Sequence, residues 1–146
     1  VDLRFVLAVL KINNNLERTG DIAEGIGKFI VSEKSSFDPT LLEIAQVQKM
    51  FDESISMLNQ VLSAFETEDT SLARSVFKQD EILDAINVNA NNVIAEFIRK
   101  NPDKLEQSLY ILSSIRKLER VGDQAKNIAE EIIFYVEAKV LKHGKK

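Results

Sequence analysis

Three pairs of carboxylates in this sequence have the spacing and the repetition of a cation site. The two acidic residues of each pair are four positions apart: Glu17 with Asp21, Asp80 with Asp84, and Glu119 with Asp123. Residues four apart stack on one face of an α-helix, where two like charges repel each other. Sites built only from carboxylate oxygens suit hard cations such as Mg²⁺, Ca²⁺, Mn²⁺ or ferric iron. The pairs therefore predict cation binding at these six residues.

Two of the pairs belong to a motif that occurs twice, 102 residues apart. The copies are Leu16-Glu17-Arg18-Thr19-Gly20-Asp21-Ile22-Ala23-Glu24-Gly25-Ile26 and Leu118-Glu119-Arg120-Val121-Gly122-Asp123-Gln124-Ala125-Lys126-Asn127-Ile128, with seven of eleven positions identical. Amphipathicity alone would repeat the apolar positions, but not Glu, Arg, Gly and Asp in the same order. The chain therefore contains two copies of one structural unit.

The motifs lie on long predicted helices. Apolar residues recur in alternating steps of four and three, which is typical of a helical bundle, and they predict helices at about 3–31, 38–65, 72–99 and 102–141. Asp38-Pro39 and Asn101-Pro102 each match an N-cap followed by a first-turn proline. Short connections make the last three helices antiparallel neighbours. The predicted fold class is all-α, an up-down antiparallel bundle of four long helices.

The apolar stripes also predict which residues face the bundle. The stripes of the four helices are Val9, Asn13, Leu16, Gly20, Ala23, Gly27 and Ile30; Ile44, Val47, Phe51, Ile55, Leu58, Leu62 and Phe65; Leu72, Val76, Gln79, Leu83, Ile86, Ala90, Val93 and Phe97; and Ile111, Ile115, Leu118, Gly122, Ala125, Ala129, Ile132 and Val136. Asp80, Glu119 and Asp123 each follow a stripe residue, which places them on the flank of the bundle. Glycine inside a helix costs about 1 kcal/mol relative to alanine, so Gly20 and Gly122 predict close helix crossings.

Equivalent flanks of antiparallel helices meet, so we expect Asp80 and Asp84 to face Glu119 and Asp123 across a groove. Four such carboxylates repel strongly unless a cation lies between them. The alternative is a solvated acidic flank in which each carboxylate pairs locally, as Asp123 would with Lys126 three residues on. The residues alone leave both interpretations open.

Composition narrows the function classes. The chain has 146 residues, no cysteine, a net charge of −4 and a single histidine, His143 in the C-terminal tail. The charge gives no support for nucleic-acid binding, and one tail histidine argues against a ferritin-like di-iron bundle and a histidine phosphotransfer bundle. Phosphate-binding glycine loops and nucleophile motifs are absent from the sequence. We therefore expect a protein that is not an enzyme.

The motif residues resemble those of the PhoU family of phosphate-uptake regulators. The resemblance rests on Asp2-Leu3-Arg4, on Leu16-Glu17-Arg18-Thr19-Gly20-Asp21, and on the run from Leu118 to Glu130. It implies two similar three-helix units, with residues 1–31 as the third helix of a first unit, 38–141 as a complete second unit, and 142–146 as a frayed tail. It also implies metal, including multinuclear iron, at Asp80, Asp84, Glu119 and Asp123, and at Glu17 and Asp21, whose partner pair is missing.

The family role implied by the resemblance is regulatory and cytoplasmic. A PhoU-type protein is expected to act as an adaptor between a phosphate ABC transporter and a phosphate-sensing histidine kinase. It would restrain uptake and the starvation response and reach the membrane only through its partners. Because the first helix lacks two bundle neighbours, we expect its apolar stripe to be covered either by the other three helices or by a second chain in a homodimer. The chain begins with Val1 inside a predicted helix, so we expect a fragment or a processed chain. The alternatives are a PhoU-like tail of a sodium–phosphate symporter and a metal-dependent enzyme using the carboxylates.

Overall fold

The computed structural model describes residues 3–33 and 36–138, which form five α-helices and one 3-10 turn. The helices are α1 (Leu3–Ser32), α2 (Pro39–Ile44), α3 (Val47–Thr67), α4 (Thr70–Lys100) and α5 (Leu105–Glu137), with the 3-10 turn at Pro102–Lys104. The predicted all-α fold with four long helices is confirmed. The expected end of the last helix near residue 141 and the 142–146 tail lie outside the described residues. No described helix combines the length and apolar character needed to cross a membrane.

Two aspartates start helices by capping them. The Asp38 carboxylate accepts hydrogen bonds from the backbone N–H groups two and three residues on, at 2.8 and 3.2 Å. Asp69 caps α4 in the same way, at 2.8 and 3.0 Å. Each carboxylate satisfies N–H groups that have no partner inside the helix. Asp38 also contacts the ammonium group of Lys104 and so ties the start of α2 to the end of the 3-10 turn.

One predicted helix span and one predicted N-cap were wrong. The expected helix 38–65 is broken at Ala45 and Gln46, where Gln46 adopts a left-handed backbone with φ 53°. Asn101 does not cap the following helix, because its side-chain amide donates to the carbonyl of Phe97 in the helix it ends, at 3.0 Å. Pro102 then opens a 3-10 turn. Local side-chain bonds of this kind compete with capping.

Helix α5 is the centre of the fold and packs against α1, α3 and α4. Its predicted stripe is confirmed, because all of its members except the partly exposed Val136 are buried. The last three long helices pack as neighbours, as their short connections predicted. Burial of these apolar side chains is the main source of stability for a helix bundle.

The predicted stripe of α3 was wrong. The buried residues are Met50, Ser54, Met57, Val61 and Ala64, whereas Phe51, 49% exposed, and the similarly exposed Ile55 and Leu62 lie on the next stripe. Helix α3 carries two adjacent apolar stripes, and the one with methionines and small residues packs on α4 and α5. The other lines an apolar crevice of ≈ 450 Å³ between α1 and α3.

Helix α1 packs mainly on α5, also through a stripe that the sequence did not predict. Its buried residues are Ala8, Ile12, Asn15 and Ile22. The predicted stripe through Gly20, Ala23 and Ile30 faces outwards or lines the apolar crevice. The face of α1 that is equivalent to the core face of α5 is therefore uncovered by the described residues.

Three contacts define an antiparallel register between α1 and α5. Lys11 pairs with Glu131 at 2.9 Å, and one turn later Asn15 accepts a hydrogen bond from Asn127 at 3.3 Å. In the same register, a Cβ atom on Gly25 would lie 2.6 Å from Lys117 Nζ. This register places Gly20 level with Gly122, so the two copies of the motif lie at the same height on a shared helix pair.

Candidate functional site

Helices α4 and α5 bring together the four carboxylates that the groove argument placed opposite one another. Asp80 and Asp84 come from α4, and Glu119 and Asp123 from α5. Charge repulsion links them, because Asp84 and Asp123 both act to raise the pKa of Asp80. The same repulsion reaches Glu119 from the other three carboxylates. We call these four residues the acidic cluster.

The position of Asp80 directly after Gln79 predicted that it lies on the flank of the bundle. This prediction was wrong. Asp80 is 4% exposed and belongs to the buried stripe of α4, between Val76 and Leu83, while Gln79 is the half-buried flank residue. Four residues separate Val76 from Asp80 and three separate Asp80 from Leu83, so the true stripe keeps the bundle spacing with a carboxylate in it. One oxygen, Oδ1, is buried without a hydrogen-bond partner among the described residues.

Lys126 supplies a positive charge to this buried carboxylate. Its ammonium group contacts Asp80 Oδ2 and lies 2.9 Å from Asp123 Oδ1. Lys126 is thus shared between one carboxylate of α4 and one of its own helix. The side chain is only 23% exposed, and that of Asp123 is 44% exposed. The local pairing of Asp123 with Lys126, one of the two alternatives open from the sequence, is present in the structure.

Burial and charge move the pKa values of this cluster. Burial raises the pKa of Asp80, and Lys126 partly offsets the shift by hydrogen bonding and charge. Burial likewise raises the pKa of Glu119, and the neighbouring carboxylates add to the rise. Burial alone would lower the pKa of Lys126, but its hydrogen bonds and charge attraction to Asp80 and Asp123 outweigh burial and raise it. The lysine is therefore held charged.

Gly122 makes room for the buried carboxylate. A Cβ atom at this position would lie 2.6 Å from Leu83 Cδ1 and 2.9 Å from Asp80 Oδ1. Any side chain here would therefore push α4 away from α5 or displace buried groups. The predicted close helix crossing at Gly122 is confirmed, and the lack of a side chain at this position leaves room for Leu83 and Asp80.

A metal ion does not fit the cluster in this arrangement. The oxygen donors suit a hard cation, but the Lys126 ammonium group fills the space between Asp80 and Asp123. Among residues 3–33 and 36–138, no group of three or more His, Cys, Asp or Glu side chains is placed to hold a metal. Metal binding by Asp80, Asp84, Glu119 and Asp123, with iron or another hard cation, stays a prediction.

The first copy of the motif is arranged differently. Glu17, Gly20 and Asp21 are exposed on α1, and a Cβ atom on Gly20 would meet nothing within 4 Å. Glu24 stands where the second copy has Lys126 and pairs with Lys28 one turn later, at 2.7 Å. The described residues provide no close helix crossing at Gly20. Metal binding at Glu17 and Asp21 also stays a prediction.

Sequence reasoning missed the polar contact between α1 and α5. Asn15 is buried, donates to the Lys11 carbonyl at 2.8 Å, and accepts from Asn127. The sequence contains a signal for it, because three consecutive asparagines at 13–15 are unusual inside an otherwise amphipathic helix. A buried amide that is hydrogen-bonded across an interface fixes the register of the two helices.

Comparison with known proteins identifies the family to which this chain belongs. The PhoU domain matches residues 47–132, which include α3, α4, the acidic cluster and most of α5. This chain belongs to the PhoU family. The predicted resemblance is confirmed.

Individual PhoU proteins match beyond that domain. The phosphate-specific transport system accessory protein PhoU homolog 1 of Thermotoga maritima is 32% identical over 143 residues, which cover 96% of this chain and 60% of that protein. The crystal structure of PhoU from Pseudomonas aeruginosa superimposes with a TM-score of 0.84 at 29% identity, over 94% of this chain and 66% of that one. PhoU from Streptococcus pneumoniae gives a TM-score of 0.78 at 28% identity, over 97% and 66%. The chain thus spans about three fifths of the length of the curated relative.

Proposed function

We propose that this chain works in a regulator of phosphate uptake and of phosphate-starvation signalling. The observation that carries the proposal is the match along 96% of the chain to a phosphate-specific transport system accessory protein. In this proposal the protein acts in the cytoplasm as an adaptor between a phosphate ABC transporter and a phosphate-sensing histidine kinase, and restrains both. It reaches the membrane through these partners.

We favour an accessory protein over the two alternatives, which are a sodium–phosphate symporter tail and a metal-dependent enzyme. A sodium–phosphate symporter tail would share the fold, but the relative described above is an accessory protein by name. A metal-dependent enzyme would need the acidic cluster to bind and activate a substrate or water. In the structure, the most buried carboxylate of that cluster is compensated by Lys126. We therefore propose a binding role without catalysis.

The surface we propose for partner docking is the half-exposed edge of the acidic cluster, formed by Asp84, Glu119 and Asp123. These carboxylates lie side by side along α4 and α5, above the buried Asp80. An acidic edge of this kind attracts basic partner surfaces and discriminates against acidic ones.

A charge reversal tests this docking surface. Asp84→Lys is introduced at the chromosomal locus of the chain, and Glu66→Lys near the end of α3 serves as a control of equal charge change. We expect Asp84→Lys to release a phosphate-starvation reporter in phosphate-rich medium and to weaken copurification with the transporter's ATP-binding subunit. The control should keep both. Full repression and full copurification by Asp84→Lys, with normal helix content by circular dichroism, would rule out this docking surface.

A further inference from the structure

The acidic cluster already contains a cation that is covalently part of the chain. We propose that the ammonium group of Lys126 is the resident cation of this cluster and competes with metal ions for Asp80 and Asp123. The inference concerns only the described side chains and does not depend on the proposed role in phosphate transport. It explains how a carboxylate can lie in the core stripe of α4 without a bound ion.

The first argument is the position of the ammonium group. It contacts Oδ2 of Asp80 and lies 2.9 Å from Oδ1 of Asp123, so it bridges the two helices at the point where a shared metal ion would have to sit. The i to i+3 spacing on α5 holds Lys126 beside Asp123. A metal ion bound to both carboxylates would occupy the same space, so the two cations exclude each other.

The second argument is the cost of leaving Asp80 uncompensated. The side chain is 6% exposed, and no group in residues 3–33 and 36–138 forms a hydrogen bond with its Oδ1 atom. An ionised carboxylate buried in this way is strongly disfavoured unless an opposite charge accompanies it. Lys126 supplies this opposite charge at Oδ2. Gly122 leaves the space that Oδ1 occupies.

The third argument comes from the other copy of the motif. The residue equivalent to Lys126 is Glu24, of opposite charge, and its helix face is exposed. The lysine therefore does not belong to the part of the motif that the two copies share. It occurs in the copy where a buried carboxylate from a neighbouring helix needs it.

The test is the binding of Mn²⁺ alone, measured by titration calorimetry and by the loss of free Mn²⁺ signal in electron paramagnetic resonance. Wild type is compared with Lys126→Gln, with the double variant Lys126→Gln/Asp123→Asn, and with Lys117→Gln as a control on the same helix. We expect Lys126→Gln to bind Mn²⁺ about tenfold or more tightly than wild type. The added Asp123→Asn should abolish that gain, and the control should behave as wild type.

Thermal unfolding gives an independent readout. Without metal, Lys126→Gln should melt at a lower temperature than wild type, and Mn²⁺ should raise its melting temperature towards the wild-type value. If Lys126→Gln does not fold without metal, Asp80→Asn/Lys126→Gln, which removes both charges, is expected to fold. Failure of both variants to fold would overturn the proposal.

Two results overturn the competition, and the second requires the Asp123→Asn single variant. If wild type binds Mn²⁺ as tightly as Lys126→Gln, or loses tight Mn²⁺ binding on Asp123→Asn alone, the lysine does not hold the metal position. When Lys126→Gln binds Mn²⁺ more tightly than wild type, equal and weak Mn²⁺ affinity of wild type and its Asp123→Asn variant supports the resident lysine.

Discussion

The two copies of the motif share their residues but not their surroundings. In the second copy, Gly122 is pressed against α4, and a Cβ atom there would lie 2.6 Å from Leu83. In the first copy, a Cβ atom on Gly20 would meet nothing within 4 Å among the described residues. The same Leu-Glu-Arg-x-Gly-Asp sequence thus builds a partly buried ionic cluster in one place and an exposed acidic face in the other. Whether the motif forms a site is decided by the helix that packs on its glycine.

The comparison also separates the shared part of the motif from the part that adapts to its neighbours. Glutamate, glycine and aspartate recur in both copies, whereas Lys126 in one copy corresponds to Glu24 in the other. Lys126 pairs across helices with the buried Asp80, and Glu24 pairs along its own helix with exposed Lys28. The residue at this position is therefore positively charged where it pairs with a buried carboxylate, and negatively charged where it pairs with an exposed lysine.

The largest expected difference between the copies is the loss of stability when the lysine of each ion pair is replaced. Lys126→Met removes the charge that accompanies Asp80 and should lower the free energy of unfolding by about 2–4 kcal/mol, since it breaks a buried ion pair from one side. Lys28→Met removes an exposed partner of Glu24 and should leave that free energy unchanged within error. Urea denaturation followed by circular dichroism measures both. Equal effects would mean that the two ion pairs are equivalent.

The glycines should respond with opposite signs. Gly122→Ala overpacks the α4–α5 crossing at a cost of about 1–3 kcal/mol, against a helix-propensity gain of about 1 kcal/mol, so we expect a net loss. Gly20→Ala makes no clash and should gain up to about 1 kcal/mol. Chemical denaturation midpoints with unchanged slopes report both changes. A gain in both variants would show that α4 yields to a Cβ atom at Gly122.

The smallest expected difference is in pH dependence. The pKa of Glu119 is raised above its ordinary value of 4.5 in the folded protein, so stability from its protonated form is present below that value and is lost as pH rises through the raised pKa. Glu119→Gln removes this loss. Relative to wild type, the variant should therefore gain more stability at about pH 7 than at about pH 4.

Unfolding free energies at the two pH values measure the change, and Glu17→Gln from the first copy is the matched control. The control removes an exposed carboxylate at the equivalent position of the motif. A Glu119→Gln profile parallel to that of wild type would show that folding does not raise the pKa of Glu119.

The helices and the pairing of α4 with α5 could be predicted from the sequence, because both follow from periodicity and short connections. The Asp38 cap was also predictable, since its geometry is local. The core stripe of α3 was not, because two apolar stripes lie side by side and only the neighbouring helices decide which one is buried. Asp80 was placed on the flank because its neighbour Gln79 was counted in the buried stripe in its place.

Lys126 illustrates a further limit of the sequence. Its spacing from Asp123 was visible, but its bond to Asp80 depends on how deeply α4 sits against Gly122. The metal predicted at the acidic cluster stays a prediction, and so does the metal predicted at Glu17 and Asp21.

The register between α1 and α5 has a consequence for symmetry. Asn15 lies opposite Asn127, and Gly25 lies opposite Lys117. The two copies of the motif are 102 residues apart, so exchanging them converts position 15 into 117 and position 127 into 25. The first pair of positions thereby becomes the second pair. The helix pair is therefore built like the two-fold interface of a homodimer, contained within one chain. In a dimer of identical subunits both pairs would have to carry the same residues, whereas in this chain a polar asparagine contact on one side accompanies a glycine–lysine contact on the other.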